Sequence, residues 1–423
     1  MKKIFLLLFI AASCQSFSQT ATISVKEIER IENFLASDEM RGRRVGSPEI
    51  DKAADFIAAE FGKAGLKPLA GNSFLQEFTM VRPRLKSLKA EMDDVELDSK
   101  NVIVITTQED LKINEKMGYV VDYIKAGEKL GPRVSELARA DKNVVVFVDT
   151  SFAANFPRLT GLKRQLFRSN TSLVFILGNY NPKEFTIKAE HSFEETKFKN
   201  VVGLLPGKTR KNEYVIFSAH YDHIGVGKPV NGDSIYNGAN DDAAGTTAVI
   251  LLADYFKKSG NNERTLVFAA FTAEETGGFG SQYFSQQFNP KDVAAMFNIE
   301  MIGTESKWGR NSAYITGFDV TDMGTIMQKN LEGTAFKFHP DPYPQEQLFY
   351  RSDNATLARQ GVPAHTISTA KMDNEPHYHE PSDEVSTLDL PNMAAIIKAI
   401  ALSSRTIVSG KDTPTRVKTE TLR

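Results

Sequence analysis

The chain has 423 residues, 41% hydrophobic and 25% charged, an ordinary globular composition and enough length for two domains or one domain with an insertion. Its 51 basic and 53 acidic residues leave a net charge of −2, which excludes the broad basic surface of a nucleic-acid or anionic-membrane binder. The single cysteine, Cys14, excludes a disulfide framework and a cysteine-built metal site.

The N-terminus "MKKIFLLLFIAASCQSFSQTATIS" carries two lysines, an apolar stretch and then small residues, the pattern of a secretory signal rather than a membrane span. Cleavage after Ser18 fits the small residues Ser16 and Ser18, making 1–18 the signal. Lipidation at Cys14, within the poor lipobox "AASC", is the alternative. Either outcome predicts an exported protein, periplasmic or secreted. No later stretch is long and apolar enough to span a bilayer.

"SPEIDKAADFIAAEFGKAGLKPL" (47–69) predicts a helix, with Ser47 at the N-cap, Pro48 in the first turn, Ala54, Ile57, Ala58 and Phe61 on one face, and Gly65 at the end. The apolar runs "NVIVITT", "YVVDYI", "NVVVFVD" and "SLVFILG" then alternate with charged stretches and gather no His or carboxylate cluster. They predict a small β-rich or α/β insert over 86–195, leaving 19–85 and 196–423 as the main domain. After 196, the runs "EYVIFSA", "RTLVFAAFT", "AAMFNIE" and "PAHTIS" alternate with helical patterns such as 244–258 and 389–404. Continuous apolar strands between helices predict an α/β fold, a mostly parallel central sheet with helices on both faces. The polar tail "SGKDTPTRVKTETLR" reads as disordered.

Chemistry collects where these strands end. His220, Asp222 and His223 follow the first, Glu274 and Glu275 the second, Glu300 the third, and His377, His379 and Asp383 lie shortly beyond the fourth. In open α/β sheets ligands bind beyond the carboxyl ends of the strands. Two unit charges 4 Å apart repel by roughly 4 kcal/mol at an effective dielectric near 20. Crowded carboxylates therefore need cations or protons to persist beside an apolar sheet. Histidine plus carboxylate without cysteine suits zinc, with manganese or cobalt also open. The stretch "NGANDDAAGTT" (237–247) is by itself a turn in which Asp242 could cap the next helix.

Six motifs, "SAHYDH", "GANDDAAG", "TAEETGGFGS", "NIEMIG", "RSDN" and "YHEPSDE", occur in the order and spacing of the co-catalytic zinc aminopeptidases secreted by bacteria. The superfamily also holds glutamate carboxypeptidase and glutaminyl cyclase. The chain resembles this family strongly over 200–405 and weakly over 27–80, and the insert faintly resembles a protease-associated domain. The resemblance implies two zinc ions: His220 and Glu300 on one, Glu275 and His379 on the other, and Asp241 bridging. It makes Glu274 the general base and Asp222 the group that orients His220, and leaves Asp242 structural. Many members have Asp where this chain has Glu300, a change of reach but not of donor chemistry.

The resemblance further implies that Tyr378 donates to the developing oxyanion. The backbone carbonyl of Arg351 would accept the substrate's free amine, with Ser352 or Asp353 as a helix cap the competing reading of "RSDN". Glu274 and Glu300 would hold the α-ammonium, so the expected substrates are peptides with a free N-terminus. A carboxypeptidase, a single-zinc glutaminyl cyclase and a non-catalytic binding ectodomain are the rival readings. His223 and His377 lie outside the family pattern, while His191, His339 and His365 read as ordinary histidines. Asp383 reads as a brace for the His379 loop. Phe349, Tyr350 and Trp308 are candidates for a side-chain pocket.

Overall fold

The computed structural model describes residues 22–140 and 142–422, so the expected signal at 1–18 and Cys14 lie outside the described residues. No helix among the described residues is long and apolar enough to cross a membrane. Two compact units divide at Gln76/Glu77 and Phe198/Lys199. The insert opens at Glu77 rather than at residue 86, because the strand Leu75–Met92 runs through the expected boundary.

Within the insert, the four apolar runs form one mixed sheet in the order Val102–Ile105, Leu173–Leu177, Val144–Val148, Val120–Ile124. Strand side chains alternate between faces. Val145 and Phe147 accordingly join one apolar cluster, while Val144, Val146 and Val148 join another against Val134 and Leu137 of the helix Leu130–Arg139. A run apolar at every position is what a sheet covered on both faces requires.

The other unit begins with helices α1 (Val25–Leu35) and α2 (Pro48–Lys63). Ser47 Oγ accepts from the Ile50 amide at 3.4 Å, and Gly65 takes a left-handed φ of 73° just past the helix end. Next come the end of the long strand β1 (Phe185–Leu205), which enters this unit at Lys199, then β2 (Arg210–His220), α3 (Ala244–Ser259), β3 (Arg264–Phe271), β4 (Val293–Ile299), β5 (Ser312–Ile315), β6 (Lys337–Pro340), β7 (Ala364–Ser368) and α4 (Leu390–Ser403). They build the sheet order β6-β5-β7-β4-β2-β3-β1. The four central strands β3, β2, β4 and β7 are parallel, and Val201–Leu205 of β1 lies antiparallel to β3.

Both faces of this sheet are buried. Phe217 of β2 stacks against Phe268 of β3 and Phe297 of β4, with ring centroids 5.6 and 5.0 Å apart, on the face that carries α3 and α4. Ile216, Val267 and Met296 point the other way, into a core with Phe284, Leu357 and Val362. The mostly parallel sheet between helices is therefore the observed fold. Parallelism brings the carboxyl ends of β2, β3, β4 and β7 to one edge.

The tail is not the free segment its polarity suggests. Arg416 donates to the carbonyls of Val293 and Pro290, Val417 is buried and bonds to Gly361, and Thr415 bonds to Asp322. A few anchoring contacts per turn are enough to order a polar strap, and hydropathy does not register them.

His365, in the middle of β7, is fully buried, with Nδ1 2.8 Å from the Thr316 carbonyl and Nε2 2.8 Å from Thr321 Oγ1. Burial pushes its pKa down to about 4 from 6.5. The folded chain keeps this ring neutral while the unfolded chain protonates it, so its stabilisation is complete above pH 6.5 and is lost as pH falls toward 4. At about 1.4 kcal/mol per pH unit, the full loss approaches about 3 kcal/mol. Urea unfolding of wild type and His365→Gln should show a stability gap that narrows between pH 7 and pH 4.5; a constant gap would refute this.

Candidate active site

His220 is the last residue of β2, and Asp222 and His223 follow it. Glu274 and Glu275 stand in the turn after β3, Glu300 directly after β4, and His379 in the loop beyond β7. Three of these connections contain a non-glycine residue in left-handed backbone: Ala273 at φ 61°, Met301 at 52° and His379 at 57°. Such conformations cost energy and gather where geometry has been bent to a task.

Asp241 is the centre of the cluster. Its Oδ1 lies 3.2 Å from His220 Nε2 and its Oδ2 lies 3.2 Å from His379 Nε2. His379 Nε2 is also 3.2 Å from Glu275 Oε2. Ligands held at about 2.0–2.1 Å around a tetrahedral zinc stand about 3.3 Å apart, so these spacings fit one ion on each side of Asp241. Glu300 Oε2 is buried without a hydrogen-bond partner, as an unused donor atom facing a cation would be.

The charges argue the same way. Burial would raise Asp241, but the imidazoles of His220 and His379 hold it well below the ordinary range. Burial would lower His379, yet Asp241 and Glu275 carry it up to about 10. Burial pushes Glu300 up to about 7, against the pull of His220 and with the help of Asp241. Burial also drives Glu274 well up, and the neighbouring Glu300 adds to the rise. This concentration of carboxylate demands positive charge, and the donor set is one that zinc accepts.

Non-ligand groups hold these loops. Asp222 is expected to orient His220, and it reaches that ring by its backbone rather than its carboxylate. His220 Nδ1 meets the Asp222 backbone carbonyl at 3.1 Å, with the carboxylate 3.9 Å away. The Asp222 carboxylate accepts from the amides of Glu274 at 3.0 Å and Glu275 at 3.4 Å, tying two strand ends together. Asp242 accepts from Gly245, the cap contact, and also from His220 and Met301. Asp383 accepts from the amides of Asn240 at 2.8 Å and Asp241 at 3.0 Å, joining the His379 loop to the Asp241 loop. The Asp241–Asp242 peptide is cis.

Sequence reading missed Arg43, which sits in the "RGRR" turn and is fully buried. Its guanidinium donates to the carbonyls of Leu35, Tyr221, Asn237 and Gly238, spanning the connections on either side of the metal-type cluster. The basic run ahead of the helix belongs to the weak resemblance over 27–80 and carries no sign that one of its arginines is buried. Asp353 was also missed as a buried acid: it is 1% exposed, neither carboxylate oxygen has a hydrogen-bond partner, and burial raises its pKa. Neither Ser352 nor Asp353 caps the short helix Asn354–Ala358 through its side chain; Ser352 Oγ instead accepts from Asn298.

A cavity of about 50 Å³ opens beside Glu300, lined by Met301, Leu348, Arg351, Met372 and Tyr378 among others. Tyr378 stacks on the His379 ring, with centroids 4.0 Å apart, and burial keeps its phenol protonated. Phe349 belongs instead to the core, and Trp308 stacks on His339, so neither lines this cavity. Tyr350 packs against Phe349 and is likewise absent from the lining. His377 turns to Ser382 Oγ at 2.9 Å.

The fold, with histidine and carboxylate gathered at the carboxyl edge of its parallel strands, defines the α/β class to which zinc aminopeptidases belong. Residues 200–403, just under half of the chain, match the model of Peptidase family M28. Leucine aminopeptidase 1 of Trichoderma harzianum is 30% identical over 226 residues, covering 50% of this chain and 54% of the relative. Leucine aminopeptidase 1 of Aspergillus niger is 25% identical over 329 residues, covering 71% and 80%. The chain spans about half the length of the first of these curated relatives. Among solved structures, a zinc aminopeptidase from Bacillus subtilis superposes with a TM-score of 0.55 at 16% identity, covering 93% of this chain and 98% of that one. An aminopeptidase from an Aneurinibacillus species gives a TM-score of 0.54 at 17% identity, covering 92% and 95%. At these identities the superpositions speak for the fold.

Proposed function

We propose that the chain is a two-zinc aminopeptidase that removes N-terminal residues from peptides. The observation that carries this is Asp241, with an imidazole 3.2 Å from each of its oxygens and carboxylates on both flanks. His220 and Glu300 would hold one ion, Glu275 and His379 the other, and Asp241 both. Bound zinc would supply Lewis acidity and lower the pKa of the attacking water.

The remaining work falls to side chains. Glu274, whose pKa burial raises, is suited to take the water's proton and return it to the leaving amine. Tyr378 stays protonated and borders the cavity next to Glu300, so it can donate to the oxyanion. Glu274 and Glu300 offer negative charge to an α-ammonium, while the Arg351 carbonyl accepts from it. Arg351 is the basic residue in the cavity lining, and its guanidinium is already engaged with Glu346 at 3.3 Å, which disfavours recognition of a C-terminal carboxylate. The signal pattern at 1–18 makes the periplasm or the medium the proposed workplace, and the insert is read as protease-associated-like.

The deciding experiment compares one peptide with a free N-terminus and the same peptide acetylated, followed by mass spectrometry. Acetylation removes a charge-paired contact of the kind that costs ~2–5 kcal/mol in binding, so the rate should fall more than about tenfold. Chelation should abolish cleavage of the free peptide, and metal analysis should find two zinc ions per chain. Equal cleavage of both peptides, or cleavage from the other end, would move carboxypeptidase or endopeptidase action ahead.

A further inference from the structure

His223 is left over from the family's ligand pattern, but its surroundings are those of a ligand. The ring is 2% exposed; Nε2 has no hydrogen-bond partner, and Nδ1 faces the Glu275 carboxylate, with Oε1 at 2.8 Å. A buried imidazole that points a nitrogen at a carboxylate already shared with His379 is placed as a ligand of the same ion would be.

Position supports this. His223 Nδ1 is 3.9 Å from Asp241 Oδ2, the oxygen that faces His379 rather than His220. Two ligands on one ion with bonds of about 2.1 Å can stand no more than about 4.2 Å apart. The contacts of His223 with Glu275 and Asp241, and of His379 with the same two residues, all satisfy that limit. His223, Asp241 and Glu275 form by themselves a set whose donor atoms lie within 4.8 Å of one another.

The ring is also held in place before any ion arrives. A Cβ on Gly238 would meet the His223 ring at 2.5 Å, so that left-handed glycine (φ 61°) leaves room for it against the Asp241 loop. The His223 amide bonds to the carbonyl of Arg43.

We propose that His223 is a further nitrogen ligand of the ion held by His379 and Glu275. This inference rests on the metal reading above, and it gives the second ion two imidazoles where the family pattern gives one. That ion should be the more tightly held of the pair. Loss of a hydrogen-bonding partner behind a ligand usually costs 10–100-fold in metal affinity. Loss of a ligand should exceed about 100-fold.

The test uses zinc-loaded full-length protein labelled with 15N in histidine side chains. Zinc-bound imidazole nitrogens resonate apart from N–H and free ring nitrogens, so bound rings can be counted. Three zinc-shifted rings are expected, and His223→Asn should remove one of them. The same variant should lower the affinity for one zinc more than about 100-fold in chelator competition, while the thermal midpoint of the metal-free protein stays near that of wild type. His223→Gln, made in parallel, serves as a second variant should Asn fail to fold. Two shifted rings in a zinc-loaded protein, with the His223 signal remaining an N–H donor, would overturn the inference and leave the aminopeptidase reading standing. No shifted ring in protein given excess zinc would overturn both.

Discussion

Glu274→Gln is expected to abolish nearly all peptide turnover while leaving the metal content at two zinc ions per chain. The glutamine is the same size and can keep the turn after β3 intact, because the Asp222 carboxylate grips that turn through backbone amides and not through the Glu274 side chain. What it cannot do is accept a proton from water. General bases contribute about 10²–10⁴ in rate, and the loss should fall on kcat. Glu275→Gln gives the contrast: it removes a charge that the imidazoles of His223 and His379 approach at 2.8 and 3.2 Å, so zinc should leave along with activity. Metal analysis alongside turnover separates the two. If both variants kept full zinc and only Glu275→Gln lost activity, the roles of base and ligand would be exchanged.

Arg43→Leu should be strongly destabilising. The guanidinium donates to four carbonyls, and each bond to a charged donor contributes about 1.5–3 kcal/mol. Leucine fills part of the volume and leaves those carbonyls unmet, so a loss of at least about 3 kcal/mol is expected. Arg43→Lys keeps the charge but not the planar fork, and should recover only part of the loss. Urea unfolding of metal-free protein measures this directly. The zinc-loaded variant should also bind zinc more weakly, because the Tyr221 carbonyl adjoins His220 and the Gly238 carbonyl lies three residues before Asp241. A variant as stable as wild type would show that water replaces the guanidinium at little cost.

The contrast between these two residues shows what a linear chain can and cannot disclose. Glu274 was legible because β3 is apolar from Leu266 to Phe271 and two acids follow it shortly, and because six motifs in order resemble one family. The parallel sheet was legible for the same physical reason: strands covered on both faces carry no polar side. Arg43 was not legible, since nothing in "RGRR" says that its second arginine is buried against the Tyr221 carbonyl, 178 residues away. Asp383 was read as a brace, but its partners at 240 and 241 appear only when two distant loops meet. The redirected carboxylate of Asp222 is of this kind as well. The tail misled because polarity was taken for freedom, whereas Arg416 spends its polarity on the carbonyls of Val293 and Pro290.

The carboxylates of Asp242 and Asp383 have a consequence for how the metal-type loops move. Loops at ligand sites commonly open in local fluctuations and exchange their amide hydrogens quickly. Here the amides of Asn240, Asp241, Gly245 and Met301 are each bonded to a buried carboxylate. In deuterated solvent these four positions should therefore exchange as slowly as the central strands, even though none belongs to the sheet and Gly245 stands in the first turn of α3. The edge that carries the chemistry then opens together with the core beneath it.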